Sequence, residues 1–286
     1  MQYQNIHWYP GHMKVAMDQI KKILPLVDVV IEVGDARAPF SSLNSALDKV
    51  IQNKKRILVF SKLDLADRNK LNVAIKIYKE QGKDPYICNL KSPKEVDNFR
   101  KFLTSIESTK AQKYARFNLA KPALRALIVG IPNVGKSTLI NALVKKNKAS
   151  VANTPGHTKS QQLVKLGDSL ELFDTPGVLQ PNYDDKVAIL HLAWLGSIKE
   201  EILPLDDIAY SIAEFCLNNY MDLLRNRYSL AENTEINLDN FFDVIADSRK
   251  FLLSGGEKDT LRAKQIFVKE FRDGLIGKVV VDDVKA

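Results

Sequence analysis

The sequence is poor in the residues that build disulfide scaffolds and zinc sites. Of its 286 residues only two are cysteines, Cys88 and Cys216, and four are histidines. Two distant cysteines form neither a disulfide framework nor a CxxC motif, and the scattered histidines lack metal-ligand spacing. Both cysteines are therefore predicted to be buried in a reducing compartment.

The sequence also lacks long apolar runs. None approaches the ~18 residues that a membrane span needs. The first residues show no basic region followed by an apolar stretch, and no Arg precedes Arg37, which argues against secretory and organellar targeting segments. We therefore expect a cytoplasmic protein without a membrane partner.

Charge and length are the next features. Lys and Arg total 42 against 34 Asp and Glu, a net charge of +8, while 45% of residues are hydrophobic. This composition is that of an ordinary globular protein. The positive charge is compatible with a polyanionic partner and equally with solubility alone. At ~150 residues per domain, the length predicts about two domains.

Short β-branched runs alternate with amphipathic stretches over the first two thirds of the chain. Strands are predicted at 27–33, 56–60, 85–88, 124–129, 162–166 and 170–173. Helices are predicted at 41–53, 67–82, 93–107 and 137–147. This alternation predicts an α/β fold with a mostly parallel sheet flanked by helices, which binds ligands at the carboxyl ends of its strands.

The pattern changes after about residue 185. Helical periodicity then dominates, and strand-like alternation returns only at 277–283, which reads GKVVVDD. We therefore predict a first domain over 1–185 and a smaller α-helical domain over 186–286. Residues 101–125 contain six basic residues and one acid, and they predict a solvated connector inside the first domain.

The sequence GIPNVGKS at 130–137 is the strongest local signal. It matches GxxxxGK[ST] between a predicted strand and a predicted helix, which is the context of a phosphate-binding loop. Its backbone N–H groups and helix N-terminus bind phosphate, its lysine reaches the β- and γ-phosphates, and its serine binds Mg²⁺. ATPases, kinases and GTPases all remain open at this point. The predicted nucleotide contacts are Asn133, Val134, Gly135, Lys136, Ser137 and Thr138.

A second motif, DTPG, follows the strand that ends near Phe173. Asp174 is placed to hold Mg²⁺ through water, and the Gly177 N–H is placed to meet the γ-phosphate. Between the two motifs, Thr158 can reach Mg²⁺ when the γ-phosphate is present. Two loops ordered by one phosphate are the parts of a switch. This arrangement argues against a P-loop kinase.

The base-reading motif lies upstream rather than downstream of the phosphate loop. In SKLD, Asp64 can accept hydrogen bonds from guanine N1–H and N2–H₂, and the stem of Lys62 can lie along the base. Ser61 stands where Asn is usual, so guanine selectivity should rest on Asp64. After the next strand, Asn89 and Leu90 are placed to offer backbone N–H groups to guanine O6. These features predict binding of GTP and GDP.

The motifs occur in a rotated order. An ordinary small GTPase has its phosphate loop first and its base reader last, whereas here SKLD precedes GIPNVGKS. The same sheet forms if the usual termini are joined, here through the basic connector, and the chain is opened after DTPG. Such circular permutation is tolerated where termini lie close together at the surface.

In this order the sequence resembles the circularly permuted GTPases of the ribosome biogenesis GTPase A (YlqF) family. The resemblance rests on WYPGHM at 8–13, GDARAPFSSLN at 34–44, the permuted motifs, NTPGHTKSQQ, DTPGVLQP and FRDGLIGK. It implies a circularly permuted P-loop GTPase domain followed by a helical domain that binds RNA. It further implies GTP hydrolysis late in the assembly of the large ribosomal subunit. The implied partners are ribosomal RNA and proteins; we expect a monomer and no DNA.

Two site residues follow from the resemblance. Many GTPases use a Gln after the DxxG glycine to orient the attacking water, but here that position is Val178. Similar proteins are thought to use the His of PGHM, which is His12, and a neutral imidazole can do this work. Asn133 resembles the residue that coordinates K⁺ in potassium-dependent GTPases. The implied cofactors are GTP or GDP, Mg²⁺ held by Ser137, Thr158 and Asp174, and K⁺.

The helical tail carries a modest basic excess. Lys264, Lys269 and Arg272 are the predicted RNA contacts there, although a solvated helix face explains them equally well. The leading function is that of a slow GTPase with His12, Lys136 and Thr158 as its catalytic residues. The alternative is a nucleotide-dependent RNA-binding scaffold factor in which hydrolysis is incidental.

Overall fold

The fold is built on one seven-stranded sheet. The structure, a computed structural model, describes residues 11–51, 54–108, 110–144, 150–152, 163–178, 185–198 and 203–284. The strand order is β3-β2-β1-β4-β7-β6-β5. Strand β6 runs antiparallel to both of its neighbours, β5 and β7, and the other neighbouring strands pair in parallel. The strands are β1 (Val29–Asp35), β2 (Lys55–Ser61), β3 (Tyr86–Ile87), β4 (Leu124–Val129), β5 (Ser150–Ala152), β6 (Leu163–Leu166) and β7 (Leu170–Asp174).

Helices pack against this sheet, and the chain after the last strand is helical. The helices up to residue 144 are α1 (Gly11–Ile23), α2 (Ala46–Ile51), α3 (Arg68–Glu80), α4 (Pro93–Ser105), α5 (Ala111–Arg116) and α6 (Lys136–Val144). The helices after residue 185 are α7 (Lys186–Trp194), α8 (Leu205–Asn219), α9 (Met221–Tyr228), α10 (Phe241–Arg249) and α11 (Thr260–Asp273). Carboxylate N-caps begin α3, α7 and α11, which satisfies N–H groups that a helix start leaves unpaired.

The predicted α/β architecture is confirmed, with local differences. The helix predicted over 41–53 is only Ala46–Ile51, because polar side chains before it bond elsewhere: Ser41 to Asp282 and Asn44 to the Val178 carbonyl. Helix α1, the short helix α5 and the short strand β5 were not predicted.

The strand-like segment GKVVVDD pairs with no strand among the residues that the structure describes. Its amide groups bond loops instead: Val279 N–H donates to Leu65 O at 3.1 Å and Val281 N–H to Arg37 O at 2.7 Å. Val280 is fully buried in an apolar cluster on β2 and α3. This segment, residues 279–284, is called the return segment below, because it leads the chain back to the first domain.

Buried apolar side chains form several clusters, and the one on the sheet also includes Ile189 and Leu192 of α7. One cluster lies between the sheet and α4 and α6, and α1 and α2 pack with residues of β1, β4 and β7 in another. A third forms the helical core around Phe241, Phe267 and Phe271, as expected for aromatic side chains at helical spacing. Cys88 and Cys216 are buried and unbridged. The described helices include none with the length and apolarity of a membrane span.

Candidate nucleotide-binding site

Four predicted motifs meet at one edge of the sheet. Strands β2, β3, β4 and β7 are parallel, so their carboxyl ends lie on the same side. The motif SKLD stands at the carboxyl end of β2, NLK (89–91) follows β3, GIPNVGKS follows β4, and DTPG begins at the last residue of β7. The fold therefore assembles the motifs of a nucleotide site despite their rotated order.

Ser61 joins the base-reading motif to the phosphate loop. It is fully buried, and its hydroxyl donates to the carbonyl of Val134 and, at 3.2 Å, to that of Gly34. Gly135 has φ +98°, and a Cβ there would lie 3.1 Å from Ser61 Oγ. A shorter side chain than Asn thus bridges the two motifs because the phosphate loop lies directly above it.

The loops after β2 and β3 are also joined. The carboxylate of Asp64 pairs with Lys91 Nζ at 2.7 Å. The Asn89 N–H donates to Glu95 Oε2 at 2.8 Å, and a Cβ on Gly135 would lie 3.8 Å from Leu90 Cδ1. The predicted guanine contacts therefore lie beside the phosphate loop.

The DTPG motif packs directly on the phosphate loop. A Cβ on Gly177 would lie 2.8 Å from the backbone of Pro132, so only glycine fits there without a shift. The next residue, Val178, donates its N–H to Gly130 O at 3.1 Å and is 1% exposed. Its side chain lies in the apolar cluster of α1. Val178 therefore has a packing role and cannot orient a water.

Lys136 and Asp174 supply the charges of the site. Burial lowers the pKa of Lys136 to about 8, although the charge of Asp174 acts in the opposite direction, and its Nζ donates to Ile131 O at 2.8 Å. Burial raises the pKa of Asp174 from its usual range against the effect of Lys136. Its Oδ1 is buried without a hydrogen-bond partner among the described residues. Such an oxygen suits a hydrated cation or a bound water.

The remaining predicted residues are less fully described. Ser137 and Thr138 are exposed in the first turn of α6, where the positive end of the helix dipole favours phosphate. His12 lies in the first turn of α1, but its side chain is outside the described residues, as is Thr158 altogether. The described residues include no cluster of three or more His, Cys, Asp or Glu side chains that could hold a metal ion.

Comparison with known proteins agrees with this geometry. The family model of the 50S ribosome-binding GTPases matches residues 125–222. Ribosome biogenesis GTPase A of Bacillus cereus is 39% identical over 97% of this chain and 93% of its own length. The Thermotoga maritima protein of that name is 32% identical over 95% and 92%. The crystal structure of GNP-bound YlqF from T. maritima matches with a TM-score of 0.63 and 27% identity, covering 95% of this chain and 99% of that one.

The chain belongs to the ribosome biogenesis GTPase A family. Its nucleotide is therefore GTP or GDP, and its reaction is the hydrolysis of GTP. The sheet order described above is that of a P-loop GTPase whose base-reading strands come first in the chain.

A buried ion pair of this GTPase was not assigned a role from the sequence. Asp35 and Arg37 are each 1% exposed. Arg37 donates two hydrogen bonds to the Asp35 carboxylate, from Nε at 3.1 Å and from Nη2 at 2.9 Å. Lys62 Nζ donates to the same carboxylate at 2.9 Å. Arg37 Nη1 also donates to the carbonyl of Arg272 at 2.8 Å. Asp35 and Arg37 thus connect the base-reading motif to the end of α11.

The phosphate loop of this GTPase contacts the helical domain as well. Asn133 Nδ2 donates to Gly196 O, just after α7, at 2.6 Å. Arg272 reaches the same turn and donates to the carbonyls of Ala193 at 2.9 Å and Trp194 at 3.2 Å. It thereby satisfies carbonyls at the end of α7. The base-reading motif and the phosphate loop are therefore both joined to residues at the ends of α7 and α11.

The predicted RNA contacts differ in their availability. Lys264 pairs with Asp206 at 3.0 Å and lies over the Tyr210 ring, with its side chain 13% exposed. Arg272 is engaged at the end of α7, as described above. Lys269 is exposed. These contacts argue for structural roles of Lys264 and Arg272 and leave Lys269 as the accessible member of the three.

Proposed function

We propose that the protein hydrolyses GTP on the large ribosomal subunit, late in its maturation, and that the subunit stimulates this reaction. The observation that carries the proposal is the convergence of four nucleotide-binding motifs at one sheet edge in a chain of this family. Ribosomal RNA and ribosomal proteins are the proposed partners. We propose a cytoplasmic monomer that does not act on DNA.

The proposed Mg²⁺ site uses Ser137, Thr158 and Asp174. The buried Oδ1 of Asp174, unpartnered among the described residues, supports its role in holding a hydrated cation. Bound Mg²⁺ would neutralise negative charge on the phosphates. Lys136 would pair with the β- and γ-phosphates, and nucleotide binding would keep its ammonium protonated.

Asn133 is the proposed K⁺ ligand. Its side-chain Nδ2 donates a hydrogen bond to Gly196 O, so the amide nitrogen faces the turn after α7. The carbonyl Oδ1 is the atom that would bind the cation, because K⁺ takes oxygen ligands. We therefore expect turnover in K⁺ to exceed turnover in Na⁺.

His12 is the proposed group that places the attacking water. Val178 is buried against α1 through the cluster that includes Ala16 and Met17. His12 precedes Ala16 by four residues, about one helical turn. This shared cluster supports the proposal that His12, at the start of α1, acts beside the γ-phosphate.

The test is GTP turnover in K⁺ and in Na⁺ buffer, with and without purified large subunits. We expect strong stimulation by the subunit, and a loss of roughly 10²-fold or more for His12→Ala, the scale of general acid–base contributions. His7→Ala is the matched control and should retain most activity. GTP-dependent subunit binding without stimulation would instead favour the nucleotide-dependent scaffold factor. If the protein does not bind the subunit and the subunit does not stimulate turnover, the proposed partner is refuted.

A further inference from the structure

The two ends of the connector between α4 and β4 are bonded to the same buried side chain. Ser108 Oγ donates to Asp28 Oδ1 at 3.0 Å, and the Arg125 N–H donates to Asp28 Oδ2 at 2.9 Å. Asp28 is buried and directly precedes β1. The connector is therefore fixed at the amino ends of β1 and β4, the edge of the sheet opposite the nucleotide motifs.

The end of α5 gives this connector a defined backbone. Asn118 has φ +52°, its N–H donates to Ala115 O at 3.1 Å, and the Leu119 N–H donates to Tyr114 O at 3.0 Å. This is the Schellman arrangement of a helix C-terminus. It presents Phe117 and Leu119 to solvent, 68% and 57% exposed. A folded turn thus holds an aromatic ring outside the core.

Exposed basic residues from three segments lie at the same edge. They come from the end of α1, the start of β2 and the connector, and we call them the basic edge: Lys22, Lys55, Lys110, Arg116 and Lys121. No ion pair joins any of the five to another described residue. The acids in segments 22–28, 54–55 and 106–125 are Glu107 and Asp28, and the latter is committed to the connector's two ends.

We propose that the basic edge and Phe117 form a binding surface for single-stranded RNA, with a base stacked on the Phe117 ring and phosphates on the basic residues. Unpaired positive charge beside an exposed aromatic ring is the combination that single-stranded nucleic acid requires. The inference rests on the proposed function in one respect, since the ribosomal subunit supplies the RNA. The exposed large apolar side chains of these segments are Leu26, Phe117 and Leu119, which are too few for the apolar centre of a protein interface.

This surface is separate from the nucleotide site. Strand β4 has six residues, so at ~3.3 Å per residue roughly 20 Å divides its two ends. RNA bound here need not touch the γ-phosphate or the residues around it. We therefore expect RNA affinity at this surface to be the same with GDP and with a non-hydrolysable GTP analogue.

The test is fluorescence anisotropy with a fluorescein-labelled single-stranded poly(U) 20-mer across a KCl series. Phe117→Ala should weaken binding about tenfold, whereas Leu261→Ala, which removes a similarly exposed apolar side chain from α11, should change it less than twofold. Arg116→Gln should reduce the salt-dependence slope by about 0.7, the value for one phosphate contact on a single strand. Lys76→Gln removes one exposed charge from α3 and should leave the slope unchanged. Melting curves verify that all four variants are folded.

Several results would overturn the inference. The first is that Phe117→Ala and Arg116→Gln both bind poly(U) as tightly as the wild type does. The second is that the wild type does not bind poly(U) at low salt. The third is that the wild type binds duplex RNA or anionic vesicles more tightly than poly(U). A parallel pelleting assay with large subunits tests the proposed function separately. If the wild type binds poly(U) through Phe117 but does not pellet with subunits, the proposed function fails and the RNA surface stands.

Discussion

Replacing Arg37 with methionine is expected to lower the free energy of unfolding by about 3 kcal/mol. Methionine fills much of the same volume but donates no hydrogen bond to the Asp35 carboxylate, which is 1% exposed. Removing one partner of a buried pair costs ~3–5 kcal/mol. The lower value applies because Asp35 keeps Lys62 Nζ at 2.9 Å and the residue 37 N–H at 3.0 Å.

Urea unfolding followed by circular dichroism measures this loss, and the melting temperature should fall by about 6–12 °C. Arg100→Met is the matched control. Arg100 pairs with Asp97 at 3.1 Å, and the side chains are 34% and 24% exposed. A partly exposed pair of this kind contributes about 0–1 kcal/mol, and Asp97 keeps Lys101 as a partner.

The pH dependence separates a charge effect from a packing effect. Burial alone would raise the pKa of Asp35, but the charges of Arg37 and Lys62 prevail and hold it below its usual range. Stability from this group is present above the unfolded pKa, about 3.9, and is lost as pH falls towards the folded pKa. The deficit of Arg37→Met should therefore stay constant from pH 7 down to about pH 4 and shrink as the pH falls further. A deficit that is independent of pH, or no larger than that of Arg100→Met, would refute the reasoning.

Three further predictions concern the nucleotide site. Because the pKa of Lys136 is about 8 in the free protein, GDP affinity should fall about tenfold between pH 7 and 9 as the ammonium is lost, measured with a fluorescent GDP analogue; constant affinity would contradict a phosphate contact. Asp64→Asn should lower the affinity for GTP and raise the affinity for xanthosine triphosphate, because an amide donates a hydrogen bond where the carboxylate accepts one. An unchanged nucleotide preference in a competition assay would exclude Asp64 as the base reader. Val178→Gln should lower stability by ~1–3 kcal/mol without raising GTP turnover, because residue 178 faces the core; faster turnover would show that the position can serve the water.

The sequence was most informative where local chemistry dictates the residue type. A phosphate loop needs its lysine and hydroxyl at fixed spacing after a strand, so GIPNVGKS predicted β4, α6 and the site together. The β-branched runs predicted β1 and β2 because both strands are buried on both faces. Asp64 and the residues after β3 were placed correctly at the sheet edge, since parallel strands bring their carboxyl ends together.

The rest depends on contacts between residues far apart in the chain. The sequence GDARAPFSSLN was noted, and it contains both Asp35 and Arg37. The second partner of the Arg37 side chain, the carbonyl of Arg272 at 2.8 Å, is supplied only when α11 is in place. Val279 to Val281 have strand propensity, yet their amides meet loop carbonyls and a tyrosine hydroxyl rather than a strand. Lys264 and Arg272 looked like surface charges because a sequence does not show that Asp206 and the end of α7 lie beside them.

The return segment has a consequence for the order of folding. Residues Phe40 and Asp282 are 242 positions apart, and the Phe40 N–H donates to the Asp282 carboxylate at 2.6 Å. Chains are synthesised from the amino end, and early domains usually fold before later ones exist. Here the apolar cluster on β2 and α3 stays uncovered until Val280 has been made. The first domain therefore awaits one of the last described parts of the chain, and a nonsense mutation before Val280 would expose apolar surface in the nucleotide-binding domain itself.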